Sequence, residues 1–241
     1  MADEEIQGRW FRRERLDGFV DAAFAFATTS LVISAGAPPE TLAELRAALP
    51  TIPAFAGGFA IIAVFWWAHY EWSKVRPSAE GLNILLSLAI VFTVLIYVFP
   101  LKVLTASALH HMSGGVLPGA EIAAGGEAMR ELHLIYGGGF AFLSFLYVLL
   151  YAHAARGNRA AGDKARADKA ASHGASWTIL CVYGAASATL AAVSDMRGAV
   201  AQAAPGMLYA TIPLAIWLYY GVVAPRLARK PAPVAEEPAA A

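Results

Sequence analysis

Five side chains stand where long apolar runs begin or end: Arg15, Asp21, Trp66, His69 and Asn83. Asp21 lies just inside the run Ala-Ala-Phe-Ala-Phe-Ala-Thr-Thr-Ser-Leu-Val-Ile. An acid in an apolar span is disfavoured by roughly 2.5–3.5 kcal/mol at a helix centre and by less near its end, so such a group faces other helices or water. His69 follows Trp66 by three residues, which puts both on one helix face. Asn83 opens the next apolar run. Polar groups at one depth on three helices can satisfy one another, and an unpaired one is costly. Two kinds of chemistry are open to this set. It can be a hydrogen-bonded clamp that sets how the first three helices pack. It can also be a proton-sensing or gating network, with His69 as the member that ordinarily titrates near physiological pH.

The first run carries a second pattern. Ala22, Phe26, Thr29 or Ser30, and Ile33 recur every three to four residues, which is one helix face. Four copies of this helix around an axis would stack apolar rings at Phe26 and Ile33, with a hydroxyl layer from Thr29 or Ser30 between them. Apolar rings can gate by dewetting, and hydroxyls can replace part of an ion's hydration shell. Ordinary packing is the competing reading, since Ser and Thr often bond the preceding turn of their own helix.

The elements that must position these residues follow from composition. The chain has 241 residues, 58% hydrophobic and only 15% charged. A soluble domain carries about 25% charged residues, and the mean hydropathy here is +0.53. An all-α, polytopic membrane protein is expected. Runs near 20 apolar residues suit a hydrocarbon core of about 30 Å. Six spans are expected at Phe19–Ala37, Ile52–Trp72, Leu82–Leu104, Leu132–Ala155, Trp177–Ser194 and Met207–Val223, all in one channel-like domain over residues 1–226. The first run reads as a retained helix, since no small-residue cleavage site follows it. A short amphipathic helix is expected between Pro38 and Pro50, an irregular connection over Ala106–Met129, and a disordered tail over residues 227–241.

Fourteen of the eighteen Lys and Arg residues fall before span one, between spans two and three, between spans four and five, or after span six. By the positive-inside rule both termini are cytoplasmic. Net charge is zero, so there is no basic face for nucleic acid. The single cysteine, Cys181, excludes an internal disulfide framework. His110-His111 have no supporting carboxylate motif, and adjacent helical residues diverge. His133, His153 and His173 sit near span ends. Gly137-Gly138-Gly139 reads as a site of close helix contact. There is no carbonyl-lined filter of the Thr-Val-Gly-Tyr-Gly type, no nucleophile elbow and no metalloprotease motif. No enzyme and no cofactor are expected.

Arg15-xxx-Phe19-Val20-Asp21 resembles the Arg-xxx-Phe-Ser-Asp signature of the transmembrane protein 175 potassium-channel family. Trp66-xx-His69, Asn83 and Pro100 extend the likeness over roughly residues 12–104. The resemblance implies six-helix subunits that assemble as a homotetramer in the plasma membrane of a prokaryote, with span one lining a central pore. It implies permeation of potassium and other monovalent cations through a hydrophobic constriction. Phe26 falls where relatives place an isoleucine or leucine of the narrowest ring, Thr29 on the hydroxyl position, and Ile33 on the next apolar ring. Val20 replaces the signature serine, and Phe26 is bulkier than the aliphatic residue. Rival readings are a proton-coupled secondary transporter using Asp21 and His69, a membrane enzyme built on the histidines, and a non-conducting structural oligomer. The absence of paired, Pro-broken inverted repeats disfavours the transporter.

Overall fold

A computed structural model describes residues 2–34, 38–76, 81–119 and 125–225, with side chains from Glu14 onward. The described residues are helical and contain no strand. In chain order the helices are α1 (Ala2–Ile33), α2 (Leu42–Ala48), α3 (Ile52–Val75), α4 (Gly81–Met112), α5 (Gly126–Ala160), α6 (Lys164–Val193), α7 (Ala199–Met207) and α8 (Ile212–Leu218). Six stretches among the described residues are long and apolar enough to cross a membrane: Glu14–Ile33, Leu42–Val75, Gly81–Met112, Gly126–Ala160, Lys164–Val193 and Ala199–Val223. The protein is therefore a multi-pass membrane protein.

The short helix expected between the prolines is α2. Thr41 caps it by accepting from the Glu44 amide at 3.2 Å, and the Glu44 carboxylate accepts from the Glu40 amide at 2.8 Å. This is close to the reciprocal capping box that Thr-x-x-Glu encodes. Two local expectations need correction. The third span does not end at Leu104, nor the irregular connection begin at Ala106: α4 runs through Pro100 to Met112. A proline in such a helix removes one donor, and the surrounding bundle tolerates the loss. The last span is not one regular helix. It is α7, a 3-10 turn over Leu208–Thr211, α8, and a π-helical turn over Tyr219–Val223. Pro213 has no amide hydrogen and its ring crowds the carbonyl four residues back, which accounts for the tight turn ahead of it. The end of the expected first span and the tail over residues 227–241 lie outside the described residues.

α5 and α6 form the largest helix–helix contact. Their backbones touch at two glycines. A Cβ on Gly137 would stand 2.9 Å from both the Ala188 nitrogen and the Gly184 oxygen, and one on Gly184 would stand 2.7 Å from the Ala141 nitrogen. Lipid gives helices little hydrophobic reason to associate, so close backbone approach at small residues carries the packing.

A second seam joins α5 to α3. The Tyr147 and Tyr151 hydroxyls donate to the carbonyls of Phe65 and Ala68 at 2.6 and 2.8 Å, and the Asn158 amide donates to that of Val75 at 2.5 Å. The partners advance in the same order along both helices, so α3 and α5 run in the same direction. At the centre of this core Tyr147 and Trp177 stack on each other, 4.4 Å between ring centres, and Phe65 lies beside both at 6.1 and 5.6 Å.

Gly184→Leu is expected to lower stability by about 1–3 kcal/mol or more. Thermal unfolding of the purified protein checks it; an unchanged midpoint would mean that the α5–α6 contact is loose.

Candidate functional site

α1 has two faces of different fate. Leu16, Val20, Phe24, Ala27 and Leu31 are buried against α3 and α4. Gly58 of α3 makes room for Leu31, since a Cβ there would meet its Cδ2 at 2.9 Å. On the opposite face Phe19, Ala22, Phe26, Thr29 and Ile33 are all exposed. Phe26 and Ile33 are 61% and 67% exposed. Val20, which replaces the signature serine, sits fully inside the buried stripe and faces away from the exposed one.

The two hydroxyls of the sequence pattern are not equivalent. Thr29 is exposed and Ser30 is half-buried. The Thr29 hydroxyl donates to the Ala25 carbonyl at 3.0 Å. Its hydrogen is thereby turned inward along the helix, and its oxygen lone pairs are left for an outside donor or a cation.

Two bonds link the polar set to neighbouring helices. Asp21 Oδ1 accepts from the Trp66 indole at 2.8 Å. His69 is buried and hydrogen-bonded to the Ser87 hydroxyl at 3.0 Å. Asn83 is fully buried one turn before Ser87 on α4. Arg15 is exposed, six residues before Asp21 on α1. Trp66 reaches α1 while His69 reaches α4, because a three-residue step rotates about 60° short of a full turn.

Sequence reasoning missed one tether in this region. Arg76 caps the end of α3 through its backbone amide, and its guanidinium, 1% exposed, donates to Asp17 Oδ2 at 2.8 Å. It also lies over the Trp72 ring, 5.1 Å from its centre. Asp17 precedes Asp21 by four residues, on the same face of α1. That spacing was the available signal, but Arg76 counted only as a topology charge. At the other end of α1, the Lys102 ammonium donates to the Ser34 carbonyl. A cation there complements the negative end of the helix dipole.

Three other histidines bond backbone carbonyls, His133 across to α7. His110 and His111 Nδ1 pair with the carbonyls of Leu117 and Ser107, and His133 Nε2 pairs with that of Gln202. The His173 ring stacks on Tyr151. Among the described residues no three His, Cys, Asp or Glu are grouped to hold a metal.

A double-mutant cycle on Asp17→Asn and Arg76→Gln is expected to give a coupling energy of about 0.5–3 kcal/mol. Additive effects on unfolding would show that the two side chains do not hold α1 to α3.

Residues 15–100 match the family described as the endosomal/lysosomal potassium channel TMEM175. A potassium channel of Marivirga tractuosa is 37% identical over 105 residues, which are 44% of this chain and 42% of that relative's length. A variant of the potassium channel MtTMEM175, crystallised with a nanobody–MBP fusion, superposes with a TM-score of 0.73 at 24% identity, over 88% of this chain and 93% of that one. A homologue, from Chamaesiphon minutus, of the lysosomal potassium-selective channel TMEM175 aligns over 83% of this chain and 98% of its own at 18% identity, with a TM-score of 0.48. Residues 15–100 thus resemble the TMEM175 potassium-channel family in sequence, and nearly the whole chain has the fold of a solved TMEM175 channel.

Proposed function

We propose that this protein is a subunit of a homotetrameric, potassium-permeable channel in a prokaryotic plasma membrane, with cytoplasmic termini and α1 around the pore. The observation that carries this is the outward face of α1. Phe19, Ala22, Phe26, Thr29 and Ile33 are spaced alternately by three and four residues, and all are exposed. That spacing is a helix-to-helix seam. The opposite face already serves the subunit's own core, so the seam is available to other copies.

In this reading Phe26 and Ile33 form two apolar constrictions about 10 Å apart along the axis. Thr29 supplies the hydroxyl layer between them, with Ser30 behind it. The apolar rings set a dehydration barrier. The Thr29 oxygens, their hydrogens already committed to Ala25, offer acceptors that offset part of it. A dehydrated cation loses less there when its hydration shell is more weakly held, which favours potassium over sodium. Arg15, Phe19, Asp21, Trp66, His69 and Asn83 act upstream of the constriction. Asp21, Trp66 and His69 hold α1, α3 and α4 in register by the bonds described above. No cofactor enters this scheme, and the driving force is the electrochemical gradient. The buried, serine-bonded His69 favours a structural role over a proton relay.

Liposomes holding the purified protein are expected to release potassium faster than sodium down equal gradients. No flux above empty liposomes, for wild type and for Phe26→Ala alike, would remove the channel reading. Phe26→Ala is expected to raise total cation flux severalfold and to move the reversal potential toward that of a non-selective pore. Thr29→Val is expected to lower potassium flux while leaving assembly intact on size exclusion. Unchanged current and reversal potential in both variants would take this face of α1 out of the pore.

A further inference from the structure

We propose that the groove between α1 and α3 binds an organic ammonium ion with an apolar body, anchored by Asp21. The groove has a volume of 350 Å³ and is lined by Asp21, Phe24, Ala25 and Thr28 of α1 and by Phe59, Ile62, Ala63 and Trp66 of α3. Its size lies within the range of small-molecule sites, which are mostly apolar with few polar groups.

The polar atoms decide what fits. Trp66 Nε1–H is spent on Asp21 Oδ1 at 2.8 Å. The Thr28 hydroxyl hydrogen is spent on the Phe24 carbonyl at 3.1 Å. The side-chain donors that line the groove are therefore already committed, and what remains is acceptors: the second carboxylate oxygen of Asp21 and the lone pairs of Thr28. A neutral acceptor or an anion finds no partner there. A cationic donor does, and a hydrogen bond to a charged group is about twice as strong as a neutral one. The indole of Trp66, held beside the carboxylate, offers the same cation a π face.

The rest of the ligand follows from distance. Asp21 and Thr28 lie seven residues apart on one helix, about 10 Å. Phe24, Ile62 and Ala63 fill that interval with apolar surface, and Phe59 lies at the exposed edge. The matching ligand has one ammonium head and an aliphatic or aromatic body of that length. Simple alkali cations lack the apolar body, and fatty acids carry the wrong charge. Such a site is distinct from the exposed stripe of Phe26 and Ile33, and it does not depend on whether the protein conducts.

Calorimetric titration of the full-length protein in detergent micelles tests this, with phenylbutylamine as probe, phenylbutanol as its uncharged counterpart, and empty micelles as the blank. The amine is expected to bind about tenfold or more tightly than the alcohol. Asp21→Asn should bring the two affinities together, and Ala63→Leu, which fills the groove, should weaken both. Equal affinity of the two probes for wild type overturns the proposal. So does an amine preference that survives Asp21→Asn, or an amine affinity that Ala63→Leu leaves unchanged. Absence of any binding also overturns it and would mean that a neighbouring copy occupies the groove. Should Asp21→Asn not fold, the Ala63→Leu arm decides alone.

Discussion

A polar group buried in an apolar medium must find its partner inside the protein, and α3 is where this requirement joins three neighbouring helices. Its carbonyls at Phe65, Ala68 and Val75 accept second hydrogen bonds from Tyr147, Tyr151 and Asn158. Its side chains Trp66, His69 and the capping Arg76 reach the other way, to α1 and α4. Backbone carbonyls have two lone pairs, so a helix can keep its own ladder and still serve a neighbour. Each such bond contributes about 1 kcal/mol. Their larger effect is on direction. Phenol and amide groups that must end on given carbonyls leave α3 and α5 no freedom to slide.

This arrangement divides the subunit by task. α5 and α6, pressed together at Gly137 and Gly184, form a body fixed by backbone contact. α1 is attached to α3 and α4 by one buried apolar stripe and a few polar tethers near its start, with Lys102 at its far end. α1, whose exposed face carries Phe19, Phe26 and Ile33, is thus held at both ends of its membrane-capable part by charged or polar groups. Asp17 and Asp21, a turn apart, both resist rotation of α1 about its own axis.

Much of this was legible in the sequence, because a bilayer demands long apolar runs and the runs are plain to see. The membrane-capable helices, the capped α2, the close contact at Gly137 and the two-faced character of α1 all follow from spacing and composition. The pairing of polar groups did not. Whether Asp21 meets His69 or Trp66 depends on how far each helix is turned, and a shift of one residue is 100°. Tyr147, Tyr151 and Asn158 look like aromatic filler and a loop residue until their shared helix face is noticed. Arg76 reads as one more basic residue after a span, and only its burial beneath Trp72 and Asp17 sets it apart. The end of α4 misled because the residues after Leu104 are less apolar, yet the helix continues to Met112.

The spacing of the exposed face of α1 has a geometric consequence. Phe19, Phe26 and Ile33 repeat every seven residues, whereas a straight helix drifts about 20° per seven. Helices that keep such a row facing one another must cross with a left-handed lean, near +20°. Leaning rods around a common axis draw a waist rather than a tube. The waist falls midway along the shared row, and Phe26 is the middle residue of that row. In the proposed assembly a ring at this level would be narrow because of the tilt of the helices as well as the size of its side chain, so substitution and straightening of the helices would be two separate routes to a wider opening.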